Sequence, residues 1–166
     1  MAVSLAGAAV LVALAWATHH QLTAGPAPEA AVEAMVLHDP SDDGEVAAAA
    51  TALWHGTVLR RTGDRTIAGI PSVRYEVTVG RVFKGEGLAG TVVVTLTPDD
   101  RPLEDGARYI FPTVPWQNTT RDGHAVLAEA QPRPADDLTA PAAGGGTVAE
   151  HWTRLASAAA GPAPGA

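Results

Sequence analysis

The segment 74–111 decides the fold, because it holds three stretches with strand composition: RYEVTVGRVFK at 74–84, TVVVTL at 91–96 and RYIF at 108–111. In the first stretch, Tyr75, Val77 and Val79 alternate with polar residues, which places their side chains on one face of a strand. The alternation slips at Gly80, since the next apolar residue is Val82. A glycine at such a slip predicts a β-bulge, in which one extra residue bends the strand.

Turn chemistry separates these strands. Glycines at 85 and 87 end the first strand, and two prolines around two aspartates make a loop of residues 98–102. Asp105 and Gly106 form a tight turn before the third strand. Pro112 and Pro115 predict that this strand ends at residue 111, because proline cannot donate a hydrogen bond to a sheet ladder.

Two further strands are predicted outside this segment. The first covers residues 53–61 and is followed by a turn at 61–66, while residues 67–72 either extend a long hairpin or form a loop. The other is the alanine-rich stretch 125–130. Five strands with these breaks predict a mainly β fold, a small five-stranded antiparallel barrel that is closed or half closed.

The strand pattern resembles a known family. Tyr-x-Val-x-Val at 75–79, Val-Phe-Lys-Gly at 82–85 and Gly-Thr-Val at 56–58 are similar to sequences of bacterial relatives of the netrin-like domain. That domain is the OB-fold module also found in tissue inhibitors of metalloproteinases, and the resemblance covers roughly residues 45–130. It implies an OB-like β-barrel and, by analogy, inhibition of a metalloprotease. The animal inhibitors hold the protease zinc with N-terminal cysteines, and this chain of 166 residues has no cysteine to take that role.

Composition divides the chain into segments. Residues 1–18 form a signal peptide or a membrane anchor, 19–44 an acidic linker, and 45–131 the OB-like domain. Residues 132–146 are predicted to be a second linker, 147–160 a short C-terminal helix, and 161–166 a disordered tail. Thr147 and Glu150 have the spacing of a capping box, and Trp152 lies on the apolar face of the helix.

The N-terminal apolar segment predicts where the domain resides. Residues 2–18 carry no charge, and Ala15-Trp16-Ala17 fits the small-x-small pattern that precedes signal-peptide cleavage. The first Lys or Arg of the chain is Arg60, so no basic residue after the apolar segment favours retention in the cytoplasm. We expect the rest of the chain to be extracytoplasmic, either secreted or anchored to the cell membrane by residues 2–18.

Charge disfavours nucleic acid as a partner. The net charge is −7, and residues 53–133 hold ten basic and nine acidic side chains. An OB-type barrel that binds nucleic acid usually presents a basic groove with stacking aromatics, and this segment has no such surplus of positive charge.

The lack of cysteine also excludes disulfides and thiolate chemistry. High Ala, Gly and Pro with few lysines is typical of a protein from a GC-rich bacterium.

The candidate metal ligands are His55, His124 and His151. Three converging imidazoles would make a zinc site, although the sequence has no HExxH pattern to fix their geometry. The alternative interpretation is three unrelated residues: a histidine on a strand face, one in a turn and an exposed one on a helix. No cofactor is predicted, because the sequence has no phosphate-binding loop. Serine catalysis is not predicted either, because no serine lies in a nucleophile motif.

Other polar motifs have simpler interpretations. Residues 39–44 begin like a calcium loop but have Ala50 where the twelfth position needs a bidentate glutamate, so we interpret them as a helix-capping turn.

Trp116 and Trp152 are candidate partner-binding residues. Trp116 lies in a polar loop and either contacts a partner or covers the open end of the barrel. Trp152 is expected to pack on the barrel or on a partner.

Three functional hypotheses follow. The first is a non-enzymatic binding module that contacts a protein or a cell-envelope component, since the sequence shows no catalytic constellation. The second is a metal-binding protein or metal-dependent hydrolase that uses the three histidines. The third is the metalloprotease inhibitor implied by the family resemblance. A membrane contact is expected only through residues 2–18, and only if they are not cleaved.

Overall fold

The computed structural model describes residues 38–160. The predicted targeting segment 1–18, most of the predicted acidic linker 19–44 and the predicted tail 161–166 lie outside these residues. The described elements are, in chain order, α1 Asp43–Ala49, β1 Ala52–Ile67, β2 Ile70–Lys84, β3 Thr91–Leu96, β4 Arg108–Pro115, α2 Thr119–Asp122, β5 His124–Val126, β6 Arg133–Pro134 and α3 Val148–Ala159. The fold is therefore mainly β with a short C-terminal helix.

The six strands form one mixed sheet. β1 pairs antiparallel with β2 and with β4, β2 pairs antiparallel with β3, and β5 joins β3 to β4. β5 runs antiparallel to β4 but parallel to β3. The pairings β1-β2-β3-β5-β4 return to β1, and β6 adds to β4.

The expectation of five antiparallel strands is wrong in number and direction. Around a ring of antiparallel pairs the strand direction must alternate, and an odd number of strands cannot alternate back to the first. One parallel pair is therefore required, and it falls at Val94–His124, between β3 and β5. The sixth strand, β6, lies inside the segment 132–146 that the sequence suggested was a linker.

The first hairpin is longer than predicted. Residues 61–66 are not a turn but continue β1, and the turn comes at Ala68 and Gly69, which both have positive φ. Residues 67–72, for which the sequence allowed either a longer hairpin or a loop, extend the hairpin. The bulge at Gly80 is confirmed, since His55 pairs with Arg81 and the next residue pairs with Val79.

Two strand ends also differ from prediction. β4 continues through Pro112 to Pro115, because the carbonyl oxygen of Pro112 still accepts a hydrogen bond, at 2.9 Å from the Leu127 nitrogen. The predicted strand 125–130 is shorter, since β5 spans only residues 124–126. A turn follows with φ of 63° at Glu129, a conformation incompatible with an extended strand.

The main core lies inside the ring of strands. Tyr75 and Val77 point into it, as the alternation predicted, and are 3% and 0% exposed. Trp54 and Phe111 are fully buried and stack with ring centroids 4.7 Å apart. The Trp54 indole nitrogen donates a hydrogen bond to the Thr113 hydroxyl at 3.1 Å, so its one polar atom is satisfied.

A second cluster joins the two longer helices to the sheet. Trp152 of α3 is 4% exposed and packs with Ala47 of α1 and with Leu53 and Ile110 of the sheet. The predicted capping box is present, with Thr147 and Glu150 each accepting a hydrogen bond from the other's backbone nitrogen. Asp42 caps α1, which confirms the interpretation of residues 39–44. Lys84 fixes the other end of α1 by donating to the carbonyl oxygens of residues 47 and 48.

Within residues 38–160, no helix is long and apolar enough to cross a membrane.

Candidate functional site

Two clefts flank the loop 97–107, which connects β3 to β4. We call the first the hairpin cleft: its volume is about 720 Å³, and the outer part of the β1–β2 hairpin forms its opposite wall. We call the second the arginine cleft: its volume is about 870 Å³, and its opposite wall is the segment 131–136. Arg101, Pro102 and Leu103 line both clefts. The loop is therefore a partition between two concave surfaces.

A hydrogen-bond network fixes the conformation of the loop 97–107. The Asp100 carboxylate accepts from the backbone and hydroxyl of Thr97, at 2.7 and 2.9 Å, and from the Gln131 amide nitrogen at 2.6 Å. The Gln131 amide oxygen in turn accepts from the Arg101 backbone nitrogen at 3.2 Å. Asp100 is thus occupied within the loop, and its carboxylate does not extend into either cleft as a free acceptor.

The hairpin cleft is polar and internally paired. The Arg61 guanidinium lies 2.5 Å from the Asp64 carboxylate, and Arg65 lies 3.0 Å from Asp122. The Tyr75 hydroxyl accepts a hydrogen bond from the Leu103 backbone nitrogen at 3.4 Å. Because both hairpin arginines that line this cleft already contact carboxylates, Arg101 is its one lining arginine without an ion pair among the described residues.

The arginine cleft differs, because it has guanidinium groups without acidic partners. Arg101, Arg108 and Arg133 line it, with Glu104 and Asp136 as the acidic residues. Within residues 38–160, no carboxylate oxygen lies within 4.0 Å of the Arg101 or Arg108 guanidinium, and ion pairs form elsewhere. Arg108 donates instead to the Asp136 backbone carbonyl at 2.8 Å.

Arg133 is already bound to the acidic turn before α1. Its guanidinium lies 3.3 Å from the Asp43 carboxylate and donates a short hydrogen bond to the Pro40 carbonyl oxygen. β6 positions this residue, since Arg133 pairs with Ile110 of β4. One arginine of the cleft lining is therefore already bound to an acidic segment of the chain, which does not itself line the cleft.

The three histidines do not meet. His55 pairs with Ile110 of β4 and His124 with Pro115, five residues further along the same strand. At about 3.3 Å per residue, these positions are roughly 16 Å apart. Among residues 38–160, no group of three His, Cys, Asp or Glu side chains is arranged to hold a metal ion. The described residues therefore do not form the three-histidine zinc site.

Each histidine instead has its own environment. His55 is 9% exposed, with its Nε2 atom 3.1 Å from the Ala135 carbonyl oxygen, and burial lowers the pKa of its imidazole. Burial also lowers the pKa of His124. His151 is half-buried rather than exposed as expected on the helix, because its Nε2 atom lies 3.3 Å from the Asp43 carboxylate.

The two tryptophans are also used internally. Trp116 is half-buried, and its indole nitrogen donates to the Thr95 hydroxyl at 2.8 Å. Its loop crosses β3 closely, since Gly123 lies where a Cβ atom would be 2.1 Å from the Val93 carbonyl oxygen. Trp152 is buried by contacts within the chain, so it is not available as an exposed partner contact.

Sequence reasoning missed Arg101, Arg108 and Gln131. Their positions within or beside loops and their ordinary residue types carry no local signal. Only the pairing of β6 with β4 brings residues 131–136 opposite the loop 97–107. The one sequence clue was the excess of arginine over lysine in the domain, which does not indicate which arginines share a surface.

No family model matches the chain, and no curated protein matches it significantly in sequence.

Proposed function

We propose that this chain is a non-enzymatic, extracytoplasmic binding module whose partner is a protein or a cell-envelope component. The proposal includes an OB-like barrel as its scaffold. The closed circuit of five paired strands supports this scaffold, because small Greek-key barrels with an OB-fold have five strands. Loops between strands carry the ligand contacts in such scaffolds, as they do in many rigid β folds.

The observation that carries the proposal is the pair of clefts around a fixed loop. Each has a volume within the range of known ligand sites, roughly 300–1,000 Å³. The loop between them is held by four hydrogen bonds through Asp100 and Gln131, so the surface is ordered before a partner arrives. A preorganised surface loses less conformational entropy when it binds.

The extracytoplasmic location rests on sequence. Residues 2–18 are uncharged and apolar, and no basic residue follows until position 60. This is the pattern of a segment that directs the remaining chain across a membrane. The partner is then expected among proteins or polymers of the cell surface rather than among cytoplasmic components.

A site-specific photocrosslinker tests the proposal. The full-length chain is produced in its native host with a photoreactive amino acid at position 102, which lines both clefts and is exposed, or at exposed position 121 as a control. We expect an adduct of defined mass from position 102 that excess purified wild-type protein suppresses, and none from position 121. Equal labelling from both positions, or no adduct from position 102, would contradict a partner site at the clefts.

A further inference from the structure

The geometry points to the arginine cleft as a binding site for an acidic, extended peptide segment of a partner protein, with Arg101 and Arg108 contacting its carboxylates. This inference rests on the proposed function and adds the chemical class of the ligand. The cleft is defined by the loop residues 101–104, by Arg108 and Tyr109 of β4, and by the segment 131–136.

Arg133 shows how an arginine of this lining contacts an acidic segment of peptide. Residues 39–43 read Asp-Pro-Ser-Asp-Asp, and Arg133 holds both a carboxylate and a backbone carbonyl of this segment. A guanidinium has five donors in a fixed planar arrangement, which suits one carboxylate plus one peptide oxygen. The same two acceptor types would be available to Arg101 and Arg108 from an acidic peptide in trans.

Arg101 and Arg108 have the charge for such a ligand. Neither lies within 4.0 Å of a carboxylate oxygen among the described residues. Arg74, Arg81 and Arg154 share this property but do not line the cleft. Asp100, the nearest acidic residue in sequence to Arg101, is occupied by Thr97 and Gln131. Hydrogen bonds between charged groups are roughly twice as strong as neutral ones, so two unpaired guanidinium groups favour an anionic ligand.

The rest of the lining favours peptide over a purely anionic polymer. Besides the arginines, the cleft is lined by the apolar or aromatic residues Pro102, Leu103, Ala107, Tyr109, Pro132 and Pro134. The Tyr109 hydroxyl accepts from the Glu104 backbone nitrogen at 3.3 Å, which fixes the ring in the wall. Such a surface can contact the side chains and backbone of an extended peptide between its carboxylates.

Binding of a labelled acidic peptide tests the inference. Fluorescein-labelled hexaglutamate is titrated with the full-length protein at about 0.15 M salt, where exposed long-range charge effects are screened, and polarisation is measured. The double variant Arg101→Gln/Arg108→Gln is compared with Arg60→Gln/Arg121→Gln, which removes the same charge from two exposed positions outside the cleft. We expect the first pair to weaken binding at least tenfold and the second less than twofold.

Each other outcome overturns the inference. Equal weakening by both pairs would mean non-specific attraction to positive charge, and absence of binding by the wild type would exclude an acidic-peptide site. Tighter competition by inorganic polyphosphate of equal charge would assign the cleft to an anionic polymer instead.

The photocrosslinking experiment and the peptide titration can contradict the proposed function and the acidic ligand independently. An adduct at position 102 together with no affinity for hexaglutamate would retain the binding module and reject the acidic ligand. Hexaglutamate binding that depends on Arg101 and Arg108, without an adduct in the native host, would retain the chemistry of the cleft and reject the proposed partner.

Discussion

One strand, β1, runs through two regions that are stabilised differently. Its first part, residues 52–57, pairs with β2 on one side and β4 on the other, and residues from 59 onward pair only with β2 among the described residues. The first part belongs to what we call the helix-covered region: Leu53 packs with α1 and α3, while Trp54 on the other face of the strand stacks on Phe111 in the main core. The second belongs to the cleft region, formed by the outer hairpin and the loop 97–107.

The difference shows that the contribution of β1 to stability changes along its length. In the helix-covered region the stabilising free energy comes from apolar burial, with Trp54, Leu53 and Val58 fully buried. In the cleft region most side chains of β1 are exposed or half-buried, and polar pairs such as Arg61–Asp64 connect them. Surface pairs of this kind contribute little stability. Substitutions in the cleft region are therefore expected to cost less than substitutions in the helix-covered region.

The largest expected effect tests the helix-covered region. Trp54→Ala should lower the free energy of unfolding by about 3–5 kcal/mol, because it removes a fully buried indole and leaves the Thr113 hydroxyl without that donor. Chemical denaturation measures the change. Leu59→Ala, at a position 47% exposed on the same strand, is the control and should cost less than about 0.5 kcal/mol. Similar losses at both positions would remove the contrast between the regions.

The next effect concerns the loop between β4 and β5. Gly123→Ala should destabilise by about 2–4 kcal/mol, since φ is 74° and the new Cβ would lie 2.1 Å from the Val93 carbonyl oxygen. Gly87→Ala shares the positive φ of 73° but meets no atom within 4 Å, so it should cost only about 1–2 kcal/mol. Thermal unfolding of both variants measures the two losses of stability, and their difference gives the cost of the close contact apart from the cost of the backbone conformation. Equal losses would show that the loop moves away from β3.

A smaller effect tests whether α3 contributes through its cap as well as through Trp152. Thr147→Ala should cost about 1 kcal/mol, because the Glu150 backbone nitrogen loses its acceptor. Ser157→Ala removes an exposed hydroxyl of the same helix and should change stability by less than about 0.5 kcal/mol. If the urea midpoints of the two variants coincide, the cap adds no stability beyond that supplied by the packing of the helix.

The smallest effect is a pH dependence that originates in the sheet. Burial lowers the folded-state pKa of His55 and His124, so between that pKa and the unfolded value of about 6.5 the unfolded chain binds more protons. Stability is therefore full above a pH of about 6.5 and falls as the pH is lowered toward the folded-state pKa values. In His55→Gln, whose amide can still donate to the Ala135 carbonyl, the slope of stability against pH should be smaller. A slope identical to wild type would mean that His55 does not contribute.

Local sequence patterns predicted several elements correctly. The alternation at Tyr75, Val77 and Val79 gave the buried face of β2, and the slip at Gly80 gave the bulge. The capping residues Asp42 and Thr147 marked the starts of α1 and α3. These features depend on side-chain period and on backbone groups a few residues apart, so the sequence alone contains the information.

Other predictions failed where a distant partner decided the outcome. Residues 61–66 have turn-forming composition, yet they pair with residues 71–75 and form strand. Pro112 was expected to end β4, yet its carbonyl bonds to Leu127 and the strand continues. Composition indicates which conformations a segment tolerates, while the hydrogen bonds available from neighbouring strands select among them.

Short-range patterns were enough to predict the mainly β class, the phase of β2, the bulge and the caps, because each depends on interactions within a few residues. The folded chain was needed to reveal the parallel β3–β5 pair, the separation of the three histidines and the presence of Arg101, Arg108 and Arg133 in the lining of one cleft. These features join residues that are far apart in the chain. Their proximity depends on strand order and register, which short-range patterns do not encode.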